Sequence, residues 1–303
     1  MKPAAFRYHR PQTLEAALAL LAQPGGRARP TAGGPSLVPT KTLRLAQPGE
    51  RNDLASIEAM RGVHVSPDGL EIGAMVRHHE IEGSELIRAE CPLLSQVAGT
   101  IGHYAIRQRG TLGGSLAHAD PAAQGPLLAT TLQAQMLATG SAGQRVIEGG
   151  SFFQSLMTTA LQPDELLTAA RFPVLEAGEG WSYQGFCRRS GDFAIVAVAV
   201  TLTLEAGRVK RLRLGVGGAT PVPVRLDSLA QQQVGQLADA AWAHALGVHA
   251  RAQVPVTEDP RIPAVFRQEL IETLVTRAIE ESLQRACAPV GVPTRDVPAG
   301  GLQ

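Results

Sequence analysis

Two glycine pairs in matching contexts are the residues best suited to chemistry in this chain: TAGGPSL at residues 31–37 and TLGGSLAHADP at residues 111–121. Each reads hydroxyl residue, apolar residue, Gly-Gly, then Ser within two positions. Glycine lacks the Cβ that keeps an anion away from backbone N–H groups, and it permits positive φ. Successive N–H groups in such a turn form a concave nest suited to phosphate oxygens. Two nests in one chain point to a ligand with two linked phosphates held between two loops, and a dinucleotide cofactor is the natural candidate. Neither motif continues as G-K-[ST], which argues against a nucleotide triphosphatase. No nucleophile, general base or other catalytic residue is assigned.

The remaining reactive residue types are sparse. His78 and His79 are adjacent, so they do not share a helix face; they read as surface or loop residues, with no metal site assigned. Cys91, Cys187 and Cys287 show no C-x-x-C spacing, which excludes an iron–sulfur or structural zinc site within the chain and fits packing cysteines in a reducing compartment. Arg107 and Arg109 precede the second glycine pair and read either as phosphate-neutralising or as solvated. Tyr104 reads as a packing residue.

Composition sets the outer limits. With 303 residues, 44% apolar content and a net charge of +1, the chain has material for two domains. Near-neutral charge argues against nucleic-acid or anionic-membrane partners. MKPAAFRYHRP has no signal-peptide core, and the longest apolar stretch, residues 193–204, is too short for a membrane span. A cytoplasmic location is expected.

The elements that must position the glycine pairs follow from the pattern. Residues 13–22 have helical apolar spacing behind Thr13 as N-cap, closed by PGG. A short strand then feeds the first glycine turn. VHVSPDGLEIGAM alternates about Pro-Asp-Gly and predicts a hairpin. Short helices are expected over 78–86 and 91–102, and strands over 133–139 and 144–148. FPVLEAGEGW reads as a domain junction. Beyond Trp181, residues 194–204 predict a buried strand, and 209–216 a strand with an exposed Arg-Lys face. Helices are expected over 229–246 and 266–283, the last with Leu270, Leu274 and Ile279 on one face. The second half thus reads as an α+β domain.

Taken together, AGGPSL followed by LRLAQP, then IGHYAIRQRGTLGGSLAHADP, TALQPDELLTAARFP and FCRRSGDFAIVAVAV resemble the medium, FAD-binding subunit of molybdenum hydroxylases, the xanthine dehydrogenase and carbon monoxide dehydrogenase family. The likeness runs from the opening KPAAFRYHRP to about Leu283. It implies an α+β chain in two parts: an FAD-binding domain of the vanillyl-alcohol-oxidase (PCMH) type over 1–176, and a smaller α+β domain of the carbon monoxide dehydrogenase flavoprotein C-terminal type over 177–287. A Pro/Gly-rich tail over 288–303 follows. It further implies an oxidoreductase subunit working beside an iron–sulfur small subunit with two [2Fe–2S] clusters and a large subunit holding molybdopterin, as a dimer of heterotrimers. Electrons would reach FAD from the iron–sulfur subunit and leave to an external acceptor.

Carried over by position, the resemblance implies that Ala32, Gly33, Gly34, Pro35, Ser36 and Leu37 form the first FAD loop, and Thr111, Leu112, Gly113, Gly114 and Ser115 the second. Asp120 would lie near ribityl or ribose hydroxyls. Arg189, Asp192 and Phe193 would reach the isoalloxazine, Phe193 by stacking. Arg107 and Arg109 gain a second reading, as part of the iron–sulfur subunit interface. Three departures stand out. Pro35 contributes no N–H donor, Gln124 stands where an acidic residue is common, and Lys41 is displaced by one position, with Thr42 in its usual place. Rival readings are a flavin-free structural subunit of the same fold and a stand-alone flavin oxidase.

Overall fold

The computed structural model of the chain describes residues 2–23 and 28–288; beyond Ala288 the expected tail lies outside the described residues. Of the described residues, those up to 119 together with 134–173 form one compact unit, and 120–133 together with 174–288 form another. The expected division at 176 follows sequence order, whereas helix Gln124–Thr131 joins the second unit by its contacts.

The first unit opens with a parallel sheet in the order Arg7–His9, Glu50–Asp53, Ala28–Thr31. Parallel neighbours need crossovers. Helix Leu14–Leu21 lies in one and helix Leu37–Thr42 in the other. The expected Thr13 cap is present, its hydroxyl accepting from the Ala16 N–H at 3.2 Å. Loops at the carboxyl ends of parallel strands are the usual ligand positions in such sheets. The first glycine motif starts at one such end: Thr31 closes its strand opposite Asp53, which closes the next.

The same unit holds an antiparallel sheet in the order Val63–Ser66, Gly69–Gly73, Leu166–Phe172, Gln135–Gly140, Gly143–Glu148. The predicted Pro-Asp-Gly hairpin pairs Ser66 with Gly69. The central strand Leu166–Phe172 is buried except at Arg171, which pairs with Glu71 at 2.9 Å. The helix expected over 78–86 is two, His78–Gly83 and Glu85–Glu90, because the Ser84 hydroxyl caps the second by accepting from the Ile87 N–H. Pro92–Ala98 follows.

The second unit is built on an antiparallel meander: Gly180–Phe186, Val196–Glu205, Arg208–Gly217 and Val224–Arg225. Val196, Val198, Val200 and Leu202 join Ile271, Val275, Ala278 and Ile279 of helix Ala264–Cys287 in one core. The opposite sheet face is made of small residues, and a Cβ on Gly215 would fall 1.9 Å from Thr131 Oγ1. Helix Gln124–Thr131 seats there, buried along its whole length. The helical region expected over 229–246 is two helices, Asp227–Gln232 and Ala240–Gln253.

The expected exposed Arg-Lys face holds at Lys210 and is corrected at Arg211 and Arg213. Glu179, whose side chain is fully buried, accepts from Arg211 Nη2 and Arg213 Nη1, both at 3.0 Å. Arg211 also reaches Glu176 at 2.7 Å. Burial lowers the Arg213 pKa, with Glu179 opposing that effect. The acidic turn after Pro173 is thereby fastened to the sheet. Among the described residues no helix is long and apolar enough to cross a membrane, and no group of three or more His, Cys, Asp or Glu side chains is placed to hold a metal.

Candidate functional site

The first glycine motif is a tight turn from strand to helix. Gly34 has φ 87°, a left-handed conformation that any side chain would strain. Its carbonyl accepts from the Val38 N–H at 3.0 Å, starting helix Leu37–Thr42. Thr31 is anchored from the neighbouring strand: the Leu54 N–H donates to its carbonyl at 3.0 Å and Arg51 Nε to its hydroxyl at 3.1 Å. The N–H groups of Ala32, Gly33 and Gly34 meet no acceptor among the described residues.

The second motif is not a turn, and this corrects the expectation of two matching nests. Thr111 is the N-cap of helix Leu112–His118, its hydroxyl accepting from the Gly114 N–H at 3.1 Å. Neither Gly113 nor Gly114 has positive φ. Residues 74–78 run antiparallel beside the motif: the Leu112 N–H donates to Val76, the Gly113 N–H to Ala74 and the His78 N–H to Gly110. The Ser115 N–H returns to the Thr111 carbonyl. Every amide from 112 to 115 is therefore engaged within the protein, and the glycines serve close packing instead. A Cβ on Gly113 would lie 2.4 Å from Ala74 Cβ.

The two motifs touch. A Cβ on Gly33 would fall 1.7 Å from the Arg109 carbonyl oxygen, and one on Gly114 3.3 Å from Ala32 Cβ. Between them opens a cavity of about 300 Å³ whose wall includes Ala32, Gly33, Arg51, Asp53, Arg61, Arg77, Gln108, Arg109 and Thr111. Its charge is lopsided: four guanidiniums against one carboxylate. Asp53 is already occupied, accepting from Tyr8 Oη at 2.6 Å and the Ala55 N–H at 3.0 Å. Arg51 braces Thr31, and Arg61 donates to the Ala55 carbonyl at 2.9 Å. The guanidiniums of Arg77 and Arg109 have no ion-pair partner among the described residues. Such a cavity sits at the small end of ligand sites, about 300–1,000 Å³. It suits the charged part of a larger ligand rather than the whole of one. A wider depression of about 530 Å³ beside Lys210, Arg211, Asp227 and Gln231 is not assigned to a ligand, because Arg211 and Asp227 are already paired.

Of the residues singled out by sequence, the structure brings Ala32 and Gly33 together with Thr111 and Gly114. Asp120, Arg189, Asp192 and Phe193 belong to the second unit. Asp120 is committed in part to a turn, Oδ1 accepting from the Ala122 N–H at 2.9 Å. Asp192 closes a turn onto the Arg189 carbonyl, and the following Phe193 is 56% exposed. Gln124 is buried in its helix.

Several minor expectations are corrected. His78 is buried rather than superficial; burial and then the charge of Arg107 push its pKa down to about 4. Arg107 is not a solvated cation but pairs with Glu82 at 2.8 Å. Tyr104, expected to pack, is 65% exposed. Cys287 is exposed, so packing describes only Cys91 and in part Cys187. Arg51, Asp53, Arg61 and Arg77 were not legible as site residues, because they arrive from elements remote in sequence with no local motif to mark them.

Comparison with known proteins gives the same answer from another direction. Residues 4–175 match the FAD binding domain in molybdopterin dehydrogenase, and residues 181–282 the CO dehydrogenase flavoprotein C-terminal domain. The carbon monoxide dehydrogenase medium chain of Afipia carboxidovorans is 34% identical over 94% of this chain and 99% of its own length. Caffeine dehydrogenase subunit beta of a Pseudomonas species is also 34% identical, over 94% and 97%. A chain of the solved quinoline 2-oxidoreductase from Pseudomonas putida superposes with a TM-score of 0.91 at 31% identity, over 95% of this chain and 100% of that one. With both parts of its length matched, the glycine motifs in contact and the α+β architecture as expected, the chain belongs to the family of FAD-binding medium subunits of molybdenum hydroxylases.

Proposed function

We propose that this chain binds FAD and relays electrons, taking them from an iron–sulfur small subunit and delivering them to an external acceptor, while a molybdopterin large subunit oxidises the substrate. The observation that carries the reading is the contact of the two glycine motifs beside an arginine-lined cavity. The residues present fit the diphosphate of FAD. Gly33 admits the Arg109 backbone and Gly34 the positive φ that shapes the turn, the amides of Ala32, Gly33 and Gly34 are donors without acceptors among the described residues, and the surplus guanidinium charge matches an anion. Thr111, the N-cap, and Ser115, whose amide returns to the Thr111 carbonyl, offer hydroxyl protons. FAD, when bound, supplies the redox chemistry, and the protein supplies position and electrostatics.

In this reading the residues of the chain bind and orient; none moves a proton to a substrate. Arg189, Asp192 and Phe193 remain proposed flavin contacts, supported by the resemblance and by the exposure of Phe193. Identity does not point to one substrate: the relatives named for carbon monoxide and for caffeine are equally similar. That pattern supports placing substrate choice in the large subunit. Assembly as a dimer of heterotrimers rests on the resemblance and on the medium-chain relatives. The test is the visible spectrum of the purified chain. A flavin spectrum that bleaches on reduction, with FAD near one per chain, is expected. A folded, colourless chain that takes up no added FAD would refute the proposal.

A further inference from the structure

We infer that Arg77 and Arg109 form a two-armed clamp that holds the diphosphate and supplies the charge that the glycine motifs lack. The inference rests on the FAD reading and assigns its charge recognition to two residues outside both motifs. Two linked phosphates carry two negative charges, and amides from one loop alone offer only partial dipoles against them. The second motif adds little through its amides: those of residues 112–115 already donate within the protein, which leaves that of Thr111 alone without an acceptor among the described residues. Cationic side chains on the cavity wall are the remaining source.

Among these, the positions of Arg77 and Arg109 are fixed by both motifs. Arg77 is the bridge partner of Thr111, with hydrogen bonds on either side at His78–Gly110 and Leu112–Val76. Side chains alternate along such a stretch. Val76 and His78 are buried, which leaves Arg77 on the cavity side. Arg109 presents its carbonyl to Gly33 and its side chain to the cavity. Arg51 and Arg61, by contrast, are held by Thr31 and Ala55. A planar guanidinium can donate two parallel hydrogen bonds to phosphate oxygens, and two of them without an ion-pair partner among the described residues make a clamp.

The test uses the full chain stripped of flavin, titrated with FAD, with ADP as the flavin-free diphosphate and with adenosine as the phosphate-free control. ADP should compete with FAD, and adenosine should not. Arg77→Met and Arg109→Met should each weaken FAD and ADP about 10- to 100-fold, the range for a hydrogen bond to a charged group. Arg77→Lys should fall between, keeping charge but losing the fork. Added salt should weaken FAD binding more in the native chain than in the variants. Arg29→Met, on an exposed residue outside the cavity wall, should bind as the native chain does, and thermal unfolding checks that every variant is folded. FAD and ADP affinities within twofold of native in both methionine variants would overturn the clamp. A native chain that takes ADP but no FAD would overturn the FAD reading while leaving the clamp to stand on the ADP series.

Discussion

Replacing Gly33 by alanine tests the contact on which the site depends. The added Cβ would stand 1.7 Å from the Arg109 carbonyl oxygen, 2.5 Å from its carbon and 3.0 Å from the Gly110 nitrogen. All three are backbone atoms, so no rotamer change relieves the clash. Ordinary contact begins at 3.4 Å, so the two motifs must separate by about 1.7 Å, far up the repulsive wall of a dispersion contact. Overpacking of this kind costs about 1–3 kcal/mol, equivalent to roughly 2–4 °C of Tm per kcal/mol for a unit of this size. FAD affinity should suffer more, because the free amides and Arg109 lie on opposite sides of the new gap; misplacement by about 1 Å can cost a factor near 100.

The assay pairs thermal unfolding of the flavin-free chain with an FAD titration. Gly62→Ala is the control: it has φ 103° and nothing within 4 Å of an added Cβ, so it carries backbone strain of about 1–2 kcal/mol without touching the site. Gly33→Ala should lose both stability and FAD affinity, and Gly62→Ala stability alone. A Gly33→Ala chain with native FAD affinity would refute the reasoning that the motifs must touch to bind.

Other expectations concern stability. Glu179→Gln leaves Arg213 buried without a counter-charge while Arg211 keeps Glu176; a loss of about 3–5 kcal/mol is expected. Urea denaturation checks it, and a loss under about 1 kcal/mol would contradict the buried pairing. His78 should make stability depend on pH. Its folded pKa of about 4 lies below the unfolded value of 6.5, so between these values only the unfolded chain takes up the proton. Stability is full above pH 6.5 and falls as pH drops toward 4, by up to about 3 kcal/mol from this group. His78→Asn should flatten that part of the profile relative to the native chain, and equal slopes would count against the buried neutral imidazole.

What the sequence revealed was local. The Thr13 cap, the hairpin at Pro67-Asp68-Gly69 and the strand after Phe193 each depend on neighbours within a few residues, and each is present. The second glycine pair misled because Gly-Gly marks a turn by default, whereas here Thr111 caps a helix and Ala74 demands the missing side chains. Helix Gln124–Thr131 gave no stripe to read, being buried on every side. The Arg-Lys face was legible as charge, but its partner Glu179 lies some thirty residues earlier, in a loop. Arg77 shows the same limit: nothing beside it in sequence announces that its backbone pairs with Thr111.

The departure at Pro35 now takes a different weight. Its missing N–H matters only if that position supplies a donor to the ligand. Pro35 stands in the first turn leading into helix Leu37–Thr42, where the Gly34 carbonyl already accepts from Val38. A fixed φ suits the start of a helix, and an N–H there has no intrahelical partner to lose. Among the described residues, amides without acceptors lie on both sides of it, at Ala32, Gly33 and Gly34 before and at Ser36 and Leu37 after. If anion recognition lies in those amides and in Arg77 and Arg109, proline is tolerated because the charge is met elsewhere. Pro35→Ala should then leave FAD affinity within about twofold, well under the tenfold that one charged contact carries. A tenfold gain from this substitution would instead return the missing donor to the centre of the site.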